Sequence, residues 1–288
     1  MCRMSRPVLA VLPLAVLAAC ASPPAPVGVL SAEPATLSLP HAGWERVQLD
    51  WTMIETLPDL EGELRVSLHL IAGGELLRTF DHPFPGDWVP GEGRAYEVAV
   101  FQSALAPPLA PGEYVLRAGL YDTAGHHWPV DGEGEPGNEI AEVAVGDPGA
   151  DFPELSFSAD WLPTEEGTDR QILARRWLAG NGAIRVRGIA AAGALWLRVG
   201  IPTAGERQEM VLDEGSARPV ATVRTDCSEL VTELEGRGSH TLEIPLAADI
   251  ADGTAECQIL FSANYELVST ENDEKRTIAL ENLAWTAD

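Results

Sequence analysis

Leu64-Arg65-Val66-Ser67-Leu68-His69-Leu70, running on into Ile71-Ala72-Gly73-Gly74-Glu75-Leu76, is the stretch on which the fold turns. Its apolar residues fall at every second position, the period of a strand with one buried face. Gly73-Gly74 then offers the backbone freedom a tight hairpin needs, and Leu76 to Phe80 returns as the partner strand. The same alternation precedes it at Val47, Leu49, Trp51 and Met53, with Thr36 to Leu39 as a shorter candidate. It follows at Tyr96, Val98 and Val100, at Tyr114, Leu116, Ala118 and Leu120, and from Ile140 to Val145. Seven or so short strands separated by turns, with no competing 3.6-residue period, predict an immunoglobulin-like or fibronectin-like β-sandwich over residues 29–146.

Gly146-Asp-Pro-Gly-Ala-Asp-Phe-Pro153 breaks the strand period, and its Pro and Gly content marks 147–153 as a linker. Strand signals resume over 154–288. Ile184 and Val186 alternate with arginines, and Leu195, Leu197, Val199 and Ile201 alternate with Trp196 and Arg198. Further runs follow at Val220 to Val223, Leu230 to Leu234, Thr241 to Pro245, Gln258 to Phe261 and Ile278 to Leu283. Eight or nine strands at this spacing suggest a jelly roll; Asp169 to Trp177 offers at most one helical turn. The expected fold class is therefore all-β, with two β-sandwich domains, immunoglobulin-like and then jelly roll.

The chain has 288 residues and a formal charge of −25. Such acidity repels nucleic acid, which is excluded as a partner, and it suits a solvated surface. Lys275 is the single lysine, so no lysine nucleophile or basic patch can be argued.

The N-terminus has its own anatomy. Arg3 and Arg6 form a positive segment, Val8 to Leu17 an apolar one, and Ala18-Ala19 lead to Cys20. The apolar run is too short to span a bilayer as a helix and reads as a secretory signal over 1–19. Leu17-Ala18-Ala19-Cys20 resembles the bacterial lipoprotein lipobox. That resemblance implies that Cys20 is acylated and becomes the first residue of the mature chain; two or three acyl chains suffice for stable anchoring. Ala21 at the next position implies sorting to the outer membrane in a Gram-negative envelope, with the face not determined. An ordinary signal peptide that happens to contain a cysteine is the alternative. Residues 20–28 are a Pro-rich spacer that holds the body off the membrane.

Cys2 lies within the signal and Cys20 takes the lipid, which leaves Cys227 and Cys257. An even pair in an oxidising compartment is expected to form a disulfide, with two buried free thiols as the alternative.

Two further resemblances bear on function. Leu109-Ala-Pro-Gly-Glu-Tyr-Val-Leu-Arg-Ala-Gly-Leu-Tyr-Asp122, with His127-Trp128-Pro129-Val130-Asp131-Gly132 after it, is similar to a phrase of β-sandwich modules on envelope-polysaccharide proteins. Arg176-Trp177-Leu-Ala-Gly180, Ala183 to Val186, Ser239 to Leu246 and Ser269 to Leu280 resemble carbohydrate-binding-module-like jelly rolls of the galactose-binding-like class. In those modules an Asp-x-Arg precedes the last strand; Asp273-Glu274-Lys275-Arg276 departs from it by one residue.

Catalytic patterns are weak. No Gly-x-Ser-x-Gly elbow occurs, and adjacent Ser239 and His240 on a strand point to opposite faces. His126-His127 are separated in the same way and lack a spaced third ligand for a transition metal. Asp131, Glu133 and Glu135, with Glu142 at the twelfth position, follow Ca²⁺-loop spacing. Pro136 stands where such a loop needs Gly, so a solvated acidic hairpin is the competing reading. For sugars the candidates are Trp177 and Tyr265 as ring platforms, with Arg176, Asn181 and Asn264 as planar hydrogen-bonding groups. The competing reading, the commoner one for tryptophan in a sandwich, places Trp177 and Trp196 in the core.

The sequence thus predicts a lipid-anchored, non-catalytic envelope protein without a required cofactor, binding glycan through its second domain. A structural lipoprotein with a protein partner, and an accessory protein of a hydrolase system, are the alternatives.

Overall fold

The computed structural model describes residues 25–132, 138–147, 152–167, 171–189, 191–205, 207–246 and 256–287. They contain strands and no helix, an all-β fold. Leu17 to Cys20, Glu133 and Glu135 lie outside them.

The first half holds β1 (Gly28–Glu33), β2 (Thr36–Pro40), β3 (Trp44–Met53), β4 (Leu64–Ala72), β5 (Glu75–Thr79), β6 (His82–Pro83), β7 (Gly93–Phe101), β8 (Gly112–Asp122), β9 (His127–Trp128), β10 (Val130–Gly132) and β11 (Glu139–Gly146). One sheet runs β10-β1-β3-β7 and the other β2-β11-β8-β4-β5. Lettered as an immunoglobulin-like sandwich, β1-β3-β7 are A-B-E and β11-β8-β4 are G-F-C. The chain changes sheets between β1 and β2 at the cis Glu33–Pro34 bond, and β2 then pairs parallel to β11. The hairpin expected at Gly73-Gly74 joins β4 to β5, both glycines having positive φ. The Pro111-Gly112-Glu113-Tyr114 phrase proves to be a tyrosine corner: Tyr114, near the start of strand F, donates its hydroxyl to the Ala110 carbonyl at 2.6 Å. Leu30, Leu49, Leu68, Leu70, Leu116 and Trp51 fill the core between the sheets. Trp51 meets Phe84 and Trp88 edge-on at 5.8 and 5.9 Å.

The second half holds β12 (Glu154–Phe157), β13 (Glu165–Glu166), β14 (Ala174–Trp177), β15 (Gly182–Arg187), β16 (Gly193–Ile201), β17 (Gln208–Leu212), β18 (Val220–Thr225), β19 (Val231–Glu235), β20 (Gly238–Leu246), β21 (Cys257–Ala263), β22 (Tyr265–Ser269), β23 (Lys275–Arg276) and β24 (Ala279–Ala287). Its main sheets run β12-β15-β21-β18-β19 and β13-β14-β24-β16-β20, with β17-β22-β23 as a small third. Lettering β14, β15, β16, β18, β19, β20, β21 and β24 from B to I gives B-I-D-G facing C-H-E-F, the strand order of a jelly roll. The helical turn allowed for before Trp177 does not form at 174–177, a strand in which Ala174 and Arg175 pair with β13 and Arg176 and Trp177 with β24. Cys227 and Cys257 form a disulfide, with Cα atoms 5.3 Å apart.

The two cores interlock. Leu195, Leu197, Val199 and Ile201 face the second core, while Ala194, Trp196 and Ala284 join the first. Ala104 and Leu105, from the first half, pack on the second core in return. Backbone bonds fasten the seam: Ala104 N–H to Leu283 O and Trp285 N–H to Ala42 O, each at 2.7 Å. Trp196 is therefore buried between the sandwiches and not inside the jelly roll. Of the linker segment, Phe152 packs against the second core and Pro153 is buried.

Candidate functional site

The seam opens on one side into a cleft of about 410 Å³. It lies between β7 and β20, each the last strand of its sheet among the described residues. Strand register builds its floor. Trp44 pairs with Phe101 across β3 and β7, and Trp196 with Glu243 across β16 and β20, so each pair shares a face. Docking of the sandwiches then brings Phe101 onto Trp196, ring centroids 4.3 Å apart and tilted by 31°. Phe80 stands edge-on to Phe101 at 5.2 Å, and Trp44 donates its indole N–H to Ala194 O at 3.2 Å.

The rim is polar. Arg46, two residues beyond Trp44 and on the same face, holds its guanidinium 5.1 Å from the Trp44 ring centroid. It bonds Glu243 across the seam and lies 3.7 Å from Glu97. The hydrogen bond to Glu243 and the two nearby carboxylates raise its pKa, so the arginine stays charged. Thr79, Thr241, Gln171 and Arg198 also line the cleft.

Asp81, His82 and Tyr96 form the far wall. His82 Nδ1 is 2.9 Å from Phe80 O, an acceptor only, so Nδ1 carries the proton and donates. Its Nε2 then accepts from the Tyr96 hydroxyl at 2.9 Å. Burial lowers the His82 pKa and raises that of Tyr96, which keeps this pair neutral. Burial pushes the Asp81 carboxyl up, but hydrogen bonds from His69 and the Leu68 N–H, with Tyr121 beside them, outweigh it and hold it below its usual value. Asp81 is thus held as an anion by N–H donors.

The residues singled out for sugar do not converge here. Arg176 and Trp177 point to opposite sides of β14. Arg176 donates to Leu162 O at 2.7 Å and stacks 4.2 Å from the Phe157 ring centroid. Trp177 is buried; its indole N–H bonds Glu165, and Arg175 and Arg276 lie 5.7 and 5.1 Å from its ring centroid. Trp177 does line a second, polar hollow of about 420 Å³, where Glu281 accepts from Ser239 at 2.6 Å and faces Arg198 at 3.2 Å. Asn181 lines a separate hollow with Asp160 and Arg224. Asn264 anchors a turn, accepting from Val220 N–H at 2.7 Å and donating to Ser216 and Arg218. Tyr265 corrects the sequence reading most plainly: it is 1% exposed, because the period of β22 turns it and Leu267 inward. Its ring lines neither the seam cleft nor the hollow beside Trp177.

Asp131 is exposed on β10; the rest of its acidic triad is not described. His126 bonds Asp122 at 3.0 Å, while His127 stacks on Tyr121, so the two neighbours do part. Asp226 lies close to both disulfide sulfurs. Those sulfurs are oxidised and Asp226 accepts Gln258 N–H at 2.7 Å, so this trio lacks the thiolates a metal needs.

Trp44, Arg46, Phe101 and Glu243 escaped the sequence reading. One signal pointed to them: the run Ala194-Leu-Trp-Leu is apolar on both faces, which marks a strand covered on both sides. Compared with models of protein families and with curated proteins, the chain matches none.

Proposed function

We propose that this chain is a lipid-anchored envelope protein, held by Cys20, that binds glycan without catalysis in the cleft between its sandwiches. One observation carries the reading: an aromatic floor of Trp44, Phe101 and Trp196 lies beneath a rim of planar and hydroxyl groups, Arg46, Glu243, Gln171 and Thr241. The small apolar area that these largely buried rings leave at the cleft floor suits the C–H groups of a pyranose, and a guanidinium–carboxylate rim suits its hydroxyls. The volume falls in the range of about 300–1,000 Å³ usual for small-ligand sites. The reading thus moves the sugar site from the jelly-roll loops to the seam.

Titration calorimetry with neutral and acidic envelope polysaccharides tests it. Arg46→Ala is expected to weaken binding tenfold or more. Arg46 is half exposed, so the loss of stability stays within about 1 kcal/mol. Absence of binding across the panel, or equal affinity in Arg46→Ala, sinks the proposal. A second reading rests on β7 and β20, each last in its sheet among the described residues: a protein partner could add a strand to either. A stoichiometric protein recovered from solubilised envelopes, with no glycan bound, would select it.

A further inference from the structure

Among the described residues six large apolar side chains are exposed, and four of them, Val29, Ile54, Leu60 and Val89, gather at one pole of the first sandwich. Hydrogen bonds knit that pole together. Val27 O accepts from Ile54 and Glu55 N–H, both at 2.9 Å. Trp88 donates to Glu55 O at 2.8 Å, and Val89 N–H points to Met53 Sδ at 3.2 Å. Trp128 fixes Pro58 O at 3.1 Å, and Asp122 holds Glu61 N–H at 2.8 Å, so the Leu60 loop belongs to the same end. A Cβ on Gly28 would lie 2.9 Å from the Trp88 ring, so the entering chain runs directly beneath that indole.

The jelly roll sits at the opposite pole, around Ala42, Trp44 and Ala104. β3 spans the distance, from Trp44 at the seam to Met53. Only six residues lie between Cys20 and Val27, seven steps of chain that span at most about 25 Å when extended. On the lipid-anchor reading of Cys20, the chain enters the body at this pole and keeps it within that reach of the bilayer.

We propose that Val29, Ile54, Leu60, Trp88 and Val89 rest in the interface of a zwitterionic bilayer, fixing the first sandwich upright with the jelly roll outward. The inference rests on the anchoring reading of Cys20. Exposed aliphatic groups with a tryptophan beside them match the chemistry of the lipid–water boundary. Glu55, Asp59, Glu61, Asp87 and Glu92 are exposed around the same pole; they repel anionic headgroups and so select zwitterionic ones.

A single fluorescent thiol label decides the question. Ile54→Cys and, as a control on the jelly roll, Val231→Cys (65% exposed in the native chain) each carry an environment-sensitive dye. The acylated full chain is reconstituted in phosphatidylcholine vesicles. The label at 54 is expected to shift to the blue and to lose quenching by aqueous iodide, while the label at 231 keeps both properties. Val29→Ser with Val89→Ser should reverse most of the change at 54, and phosphatidylglycerol vesicles should reduce it. A label at 54 that stays open to iodide overturns the proposal, as does equal shielding at 231. A shift without vesicles that grows with protein concentration assigns the face to a second copy, which also overturns it. Mass spectrometry separates the two failures. If Cys20 bears no acyl mass the anchor reading falls, and the label at 54 in a Cys20→Ser chain with added phosphatidylcholine vesicles then decides the surface alone: a blue shift retains it, and none overturns it.

Discussion

Replacing Trp196 by alanine removes the side chain that joins the two sandwiches. Trp196 is 7% exposed and stacks on Phe101, yet it belongs to a strand of the jelly roll. Its contacts lie in the first core, so the deletion opens a cavity between the halves and not within either. Truncating a buried tryptophan costs about 3–5 kcal/mol. For a chain of this size that corresponds to a fall in Tm of about 6–20 °C. The fall should also change the shape of the transition. With the seam weakened, the sandwiches lose their coupling, and calorimetry should resolve two transitions where the native chain gives one. Trp196→Phe keeps a ring against Phe101 and should show a smaller fall. Trp177→Ala, a buried tryptophan within the second half, should lower stability without uncoupling the halves. A loss below about 1 kcal/mol for Trp196→Ala, the range of surface changes, with one transition retained, would refute the seam as the joint.

Other outcomes follow from single features. Tyr114→Phe leaves the Ala110 carbonyl without its donor and should cost about 0.5–1.5 kcal/mol in denaturant unfolding. Reducing the Cys227–Cys257 disulfide, which closes a separation of 30 residues, should lower stability by about 3–4 kcal/mol, read as a lower denaturation midpoint in reductant. At the hairpin of β8 and β9, burial opposes ionisation of Asp122, but hydrogen bonds from the Glu61 N–H and from the His126 side chain and N–H hold its carboxyl well below the usual range. Its stabilisation is complete above about pH 3.9 and is lost as pH falls through the lower folded value. The bond to Asp122 holds His126 above its ordinary value; that contribution is complete below about pH 6.5 and is lost as pH rises through the raised one. Melting curves against pH should thus flatten on the acid side in Asp122→Asn and on the alkaline side in His126→Gln.

By itself the sequence determined everything that depends on local period and turn chemistry. Alternation at Leu64 to Leu70 and at Tyr114 to Leu120 specified strands and their buried faces, because the side-chain period of a strand is two whatever it pairs with. Gly73-Gly74 specified a hairpin, since only a positive φ closes so tight a turn. Of the four cysteines only Cys227 and Cys257 fall within the strand-rich body, and they form the pair. The tertiary structure decided what depends on residues distant in the chain. Arg46 and Glu243 have no sequence relation, and they meet only because the outer face of one sheet docks on the other sandwich. The same docking claimed Trp196. Trp177, Asn264 and Tyr265 had the residue types of a sugar site, but type carries no direction. Strand register turned Tyr265 into the core, Trp177 onto its own arginines, and Asn264 onto a turn. Which aromatic rings remain available to a ligand is set by which faces the two sandwiches leave uncovered, a property of their packing that no stretch of sequence contains.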